Sequence, residues 1–381
     1  MKLLYSRPFI MMYLFLLIGL SCKKTYDPDI YTPDTSFKVV GYLSGWNFAV
    51  IDDLEIEKLD YLNLAFANPD QEGNLIFDDK ADITPVVKKA HDAGIKVFIS
   101  LAGGGKPDTT LWKTVLKKKN RSDFVEKIVS YVETNNLDGV DVDIEGNLFP
   151  YIGELYNPFV VELREALHAK GKGMSSALGA SHVNKVVNQD ALEAYDFINV
   201  MVYDKTGIWR PDDIGQHSPF SYAEEAIQYW TVEKKIPAEK ITLGVPFYGF
   251  DFTPPARYID FNEIISQDVS LAYVDSTGMR YYNGIPMIVK KVQLAKDKKL
   301  GGVMIWELSS DILNDLSLLK ALDQTVNATG PVTVFYRDED GDGFGNPAKP
   351  FHACEQPEGY VTNRDDMDDT NKKIFPKGVK K

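Results

Sequence analysis

Three carboxylates at alternate positions, Asp141, Asp143 and Glu145, close the run Asp138-Gly139-Val140-Asp141-Val142-Asp143-Ile144-Glu145. Side chains alternate along a β-strand, so these three face one way while Val140, Val142 and Ile144 face the other. Like charges held this close oppose one another's ionisation, and at least one of the three should keep a proton near neutral pH. A carboxyl group that stays protonated at working pH is what general acid catalysis requires. The other uses of such a row are a metal site or a satisfied polar core. A metal site would draw on histidines, and none of the five in the chain lies in this stretch. Catalysis uses the whole pattern, with Glu145 as the acid.

A row of acids needs a scaffold to aim it. Eight short apolar runs recur at residues 38–43, 61–67, 96–101, 139–144, 173–178, 197–202, 241–245 and 303–306, with helix-like segments such as 123–135, 158–169 and 222–235 between them. Strands alternating with helices pair in parallel through right-handed crossovers, and near-continuous apolar strands belong to a sheet covered on both faces. Eight such units predict an α/β fold of the (β/α)8 barrel type, with Asp141, Asp143 and Glu145 inside and Glu145 at the C-terminal rim. The rival is an open doubly wound sheet, which wants a Gly-rich phosphate turn after its first strand. Gly41-Tyr42-Leu43-Ser44-Gly45-Trp46 lacks that spacing. The longest connection, 250–300, predicts a small hairpin pairing 271–274 with 279–282, then a helix over 286–298. Only a hairpin-sized addition fits there, which implies a shallow, open cleft.

Composition narrows the partners. The chain of 381 residues carries a formal net charge of −13 and shows no basic stripe, which excludes a nucleic-acid groove. It has 20 Tyr, 20 Phe and 5 Trp, most of them expected in the core and a minority at strand ends, where flat rings stack on sugars. There are two cysteines, Cys22 and Cys354. Lys2 and Arg7 precede an apolar stretch over residues 9–20 that is too short to span a bilayer, the pattern of a signal peptide. Cys22 stands where cleavage should occur, and the segment resembles a bacterial lipoprotein signal with Cys22 as the lipidated residue; plain secretion is the alternative. Residues 23–36, polar with Pro28 and Pro33, read as a tether.

The carboxylate run also carries a family resemblance. Asp138-x-x-Asp141-x-Asp143-x-Glu145 resembles the signature of the family-18 glycoside hydrolases, the chitinase family, and the likeness continues over most of 37–324. Ser100-Leu101-Ala102-Gly103-Gly104 is similar to the family's Ser-x-Gly-Gly element, with Ala102 in place of the first glycine. Met201-Val202-Tyr203-Asp204, Gly244-Val245-Pro246-Phe247-Tyr248-Gly249 and Gly302-Val303-Met304-Ile305-Trp306-Glu307 match the elements of strands six, seven and eight. The resemblance implies substrate-assisted catalysis, an exception to the two-carboxylate scheme. Glu145 would protonate the glycosidic oxygen, and Asp143 would orient the sugar's 2-acetamido group as its oxygen attacks the anomeric carbon. Asp141 would hold Asp143 through a shared proton, Ser100 would bond to Asp141, and Tyr203 would position the acetamide. Asp204 and Met201 would complete the −1 sugar site over Trp306 as its floor, bordered by Tyr42, Phe66 and Tyr248. Trp46 and Trp209, in loops beyond the first and sixth strands, are candidates for neighbouring subsites. Trp230 reads as core, and His217 as a residue reaching towards the groove rim.

The boundaries that follow are 1–22 signal, 23–36 tether, 37–327 barrel and 331–381 a separate acidic segment. In that segment Asp338, Asp340 and Asp342 alternate with glycines, the composition of a calcium loop. Lys349 occupies the twelfth position, which rules out an EF-hand. The segment resembles a thrombospondin type 3-like repeat, with Asp365, Asp366, Asp368 and Asp369 as a second acidic set; a solvated acidic tail is the alternative. No cofactor is implied for catalysis, only Ca2+ in this segment. The expected activity is that of an endo-acting chitinase on β-1,4-linked N-acetylglucosamine polymers. An endo-β-N-acetylglucosaminidase acting on N-glycan cores, a peptidoglycan hydrolase, or a sugar-binding lectin on the same barrel are the alternatives. The expected protein is an exported monomer that meets a membrane only through its lipid anchor.

Overall fold

The computed structural model describes residues 31–77, 81–146, 148–182, 185–366 and 368–372. Cys22 and the signal segment lie outside the described residues. Eight parallel strands form the barrel: β1 Lys38–Ser44, β2 Tyr61–Pro69, β3 Lys96–Ala102, β4 Gly139–Asp143, β5 Gly173–Gly179, β6 Phe197–Met201, β7 Ile241–Pro246 and β8 Gly302–Trp306. Each pairs with its sequence neighbour and β1 pairs with β8, Lys38 opposite Gly302, so the sheet closes on itself. The expected strands are all present, with ends displaced by no more than two residues.

Alternation along the strands sorts the interior into two apolar groups. Val39, Leu64, Ile99, Val140 and Val142 face the surrounding helices, among them Arg121–Thr134, Tyr156–His168 and Ile285–Asp297. Val40, Tyr42, Tyr61, Phe98, Phe197 and Met304 fill the barrel itself. One break in the alternation matters for the site. A register shift between Ala65 and Ala67 on β2 turns Phe66 inward, where its ring stacks 5.6 Å from that of Trp306.

The N-terminal end of the barrel is tied by a repeated device. Asp60, Asp138 and Asp196 each precede an even-numbered strand and accept the N–H of the second residue of the strand before, Val39, Val97 and Met174, at 2.7–2.8 Å. Asp138, the first acid of the signature, is therefore a barrel-bottom residue, also 2.8 Å from His91 Nε2. Residues 31–36, read as part of a free tether, lie against this end: the Tyr31 hydroxyl donates to Asp196 at 2.7 Å and its ring stacks on His168.

The connection from β7 to β8 is larger than the expected hairpin. Tyr248–Asp251, Arg257–Asp260, Ser276–Thr277 and Arg280–Tyr281 form one four-stranded antiparallel sheet. The hairpin is tighter than 271–274 with 279–282, turning at Gly278 with φ 58°. Its two-residue strands are held by pairing with Tyr248–Asp251, a partner distant in sequence that local periodicity does not reveal. After the last barrel helix, Leu318–Asn327, the strands Thr333–Arg337, Pro350–Ala353 and Tyr360–Val361 make a separate three-stranded sheet.

Candidate active site

Asp141, Asp143 and Glu145 lie in that order from mid-barrel to rim, each in a different environment. Asp141 is fully buried and receives four donors: Ser100 Oγ at 2.7 Å, Ser175 Oγ at 2.6 Å, Tyr42 Oη at 2.7 Å and Asn199 Nδ2 at 3.2 Å. Burial pushes its pKa up and the donors pull it back by favouring the carboxylate form. Asp143, one layer higher, is pushed well above the ordinary carboxylate range, first by burial and then by Glu145 and Asp141. Its Oδ1 is buried with no hydrogen-bond partner among the described residues.

Strand β4 stops at Asp143, so Glu145 stands in the turn beyond it. Burial, followed by the Asp204 carboxylate, raises Glu145 to about 7. A carboxyl group with that pKa is protonated below about pH 7 and ready to donate. The approach is close: a Cβ at Gly104 would lie 2.6 Å from Glu145 Oε1, so only glycine leaves the acid its place. Ala102, standing where the family element has glycine, adopts φ 73°. The left-handed turn is kept by a residue for which it costs about 1–2 kcal/mol.

The cleft follows from these positions. A cavity of about 550 Å³ at the C-terminal ends of the strands is lined by Asp143, Glu145, Tyr203, Asp204, Tyr248 and Trp306, and also by Tyr42, Phe66 and Met201. A second, of about 280 Å³, meets it at Glu145, Met201, Tyr203 and Asp204 and runs on past Phe149, His182 and Tyr222. Glu145 thus sits where two compartments join, with space on both sides of its carboxyl group. The Tyr203 phenol, buried and surrounded by carboxylates, is pushed well above its ordinary pKa and stays a neutral donor. The Tyr248 hydroxyl donates to Asp204 Oδ1, and the Tyr258 ring of the inserted sheet stacks 4.6 Å from that of Tyr248, forming a wall.

Several placements differ from expectation. Ser100 bonds Asp141 as expected but is wholly buried and lines neither cavity, so it is not a sugar contact. Tyr42 reaches the cavity wall while its hydroxyl serves Asp141. Trp46, 61% exposed, lines the larger cavity, whereas Trp209, 55% exposed, packs edge-on to Phe250 and lines neither. Trp230 is core. His217 is wholly buried beneath Asp204 and not at a rim. Sequence reading missed Ser175 and Asn199; the signal available was a polar residue at an inward position of a buried strand, Ser175 standing directly opposite Asp141 in the β4–β5 register.

A closed βα barrel with a raised-pKa acid at a strand end, set in an aromatic-lined cleft, defines a barrel glycoside hydrolase. Residues 38–311 match the family model described as glycosyl hydrolases family 18, and the chain belongs to that family. The GH18 chitinase ChiB from the chitin utilization locus of Flavobacterium johnsoniae is 43% identical; the match covers 77% of this chain and 94% of that one, with a TM-score of 0.73. A chitinase from Bacteroides thetaiotaomicron is 27% identical over 77% of this chain and 97% of its own, with a TM-score of 0.69. Probable chitinase 10 of Drosophila melanogaster is 24% identical over 370 residues, which covers 76% of this chain but only 16% of that much longer protein.

Proposed function

We propose that this enzyme is an endo-acting chitinase that cleaves β-1,4 links between N-acetylglucosamine units with retention, using the substrate's own acetamide as nucleophile. One observation carries the proposal: Asp143 lines the cavity beside Glu145, and its buried Oδ1 has no hydrogen-bond partner among the described residues. A buried acceptor without a donor is costly, and an acetamide N–H is a donor of the right kind to meet it. Glu145 gives its proton to the glycosidic oxygen as the C1–O bond breaks, and the acetamido oxygen bonds to C1 from the opposite face. Asp143 stabilises the positive charge on the acetamide nitrogen, and Tyr203 donates to the acetamido group. The Glu145 carboxylate then takes a proton from water as that water opens the oxazolinium ring at C1, which restores the acid. Two joined cavities on either side of Glu145 favour cleavage within a chain. A panel of chitin oligomers, a high-mannose glycoprotein and peptidoglycan tests the substrate: cleavage confined to the oligomers is expected, and glycan release from the glycoprotein alone would contradict it.

Calcium binding by the C-terminal sheet is part of the same reading. Asp338 is occupied by the backbone N–H groups of Gly341, Asp342 and Gly343. Asp340, Asp342, Asp366 and Asp369 each keep one buried carboxylate oxygen without a partner among the described residues. The ligand set is therefore wider than Asp338, Asp340 and Asp342, the three whose ligand atoms fall within 4.8 Å of one another. A hard cation is suited to such all-oxygen donors. Calcium at 100-fold over its dissociation constant should stabilise the folded enzyme by about 2.7 kcal/mol. Thermal unfolding in calcium against chelator should show this, and unfolding curves that superimpose would remove the calcium assignment.

Export with a lipid at Cys22 accounts for the N-terminal segment. Cys22→Ala should release the enzyme from membrane fractions, and continued membrane association in that variant would refute the anchor.

A further inference from the structure

Asp204 stands where few L-residues stand, at φ 59°, and it lines both cavities together with Glu145, on which its charge acts from outside the β4 row. What holds it there lies beneath it. The His217 imidazole is wholly buried, and its Nδ1 accepts the Asp204 backbone N–H at 3.4 Å while lying 3.4 Å from Asp204 Oδ1. The ring packs 5.0 Å from the rings of both Tyr248 and Phe250. Its backbone carbonyl accepts the N–H of Lys205, so the chain on both sides of Asp204 is tied to the same residue.

Residues 216–218 are themselves pinned. Gln216 donates to the carbonyls of Asp275 and Tyr282 in the inserted sheet, and Ser218 Oγ donates to the Val202 carbonyl at the exit of β6. Lys291, wholly buried, donates to Ser218 O, Ser218 Oγ and Asn283 Oδ1 at 2.6–2.7 Å. A buried amine satisfied by three neutral acceptors on two chain segments is a structural pin. The strap it fixes presents the imidazole to Asp204 from below, while Tyr248 holds the carboxylate from the side.

We propose that His217 is a positioning residue that holds Asp204 in its left-handed turn, keeping the carboxylate in the cleft it shares with Glu145, and so sets how far into the alkaline range the acid works. The inference rests on the reading of Glu145 as general acid. The titratable and charged groups around the imidazole are Asp204, Tyr248 and Lys291. Burial lowers the pKa of His217, so it acts as a neutral hydrogen-bonding ring and not as a charge. Without it, Asp204 keeps only the Tyr248 contact and can turn towards solvent, and Glu145 loses part of the charge that helps it keep its proton.

The test is the pH profile of kcat/KM in three variants. The wild-type alkaline limb should fall near pH 7. His217→Phe fills the same space without a nitrogen and should move that limb about 0.5–1 pH unit towards acid. His217→Asn, whose amide takes the place of Nδ1, should restore it. His217→Gln reaches the position of Nε2 instead and should not, which keeps the comparison decisive if the phenylalanine variant fails to fold. An unmoved limb in the phenylalanine variant, or equal limbs in the asparagine and glutamine variants, would overturn the positioning role. Failure of the underlying reading would look different: Glu145→Gln would then keep wild-type turnover whatever stands at 217.

Discussion

Glu145→Gln is expected to lower kcat on chitin oligomers by about 10²–10⁴-fold, a barrier increase of about 3–5 kcal/mol, while leaving oligomer affinity close to that of the wild type. The amide has the shape of the acid and fits beside Gly104, but it has no proton to give to a departing sugar oxygen. Binding should survive because the cavity around Trp306, Tyr203 and Asp204 is unchanged. The deficit should depend on the leaving group. With an aryl glycoside whose phenol departs without protonation, the variant should recover most of the lost rate of the first step, read as the initial burst of phenol, while opening of the oxazolinium still lacks the Glu145 base. Equal losses on oligomer and activated aryl substrate would assign Glu145 a role other than proton donation.

Asp143→Asn should be nearly as damaging although no acid is removed. In the native site Asp143 feels the charges of both Glu145 and Asp141, it lines the cavity, and its buried Oδ1 has no partner among the described residues. Asparagine keeps the volume but replaces a group that can become fully charged with a neutral amide. The acetamide nitrogen gains positive charge in the transition state, and losing one preorganised electrostatic partner costs about 10²–10³-fold in kcat. The loss should persist on the activated aryl substrate, because the acetamide must still close on C1 as the group departs, whether or not that group needs a proton. The two variants therefore separate on one substrate pair: leaving-group activation rescues Glu145→Gln and does not rescue Asp143→Asn.

The barrel was legible because its strands are buried on both faces. A run such as Val97–Leu101 on β3 has no solvent side to interrupt it. The carboxylate row was legible for the same reason, since three acids in a strand of that kind have no apolar explanation. The support of Asp141 was only half legible. Ser100 belongs to a recognisable element, but Ser175 and Asn199 sit in strands where a lone polar residue draws no notice. Ser175 acquires meaning only when the register of the closed sheet sets Ser100, Asp141 and Ser175 side by side, and Asn199 only when its side chain reaches Asp141 across the barrel. The inserted sheet was read as a hairpin because its strands are two to four residues long and its pairing joins residues about 30 apart. His217 was read as a rim residue because it follows a loop. Its burial depends on Lys291 and the inserted sheet closing over residues 216–218, which no local pattern announces.

In the proposed mechanism the sugar at −1 supplies the nucleophile through its acetamide. The most direct measurement is the identity of every newly formed reducing end after limited digestion of partially de-N-acetylated chitin. Substrate-assisted catalysis predicts that each new reducing end carries an N-acetyl group, whatever unit lies on the other side of the cut. New reducing ends bearing a free amine, at the frequency of such units in the polymer, would show that the enzyme cleaves without the acetamide.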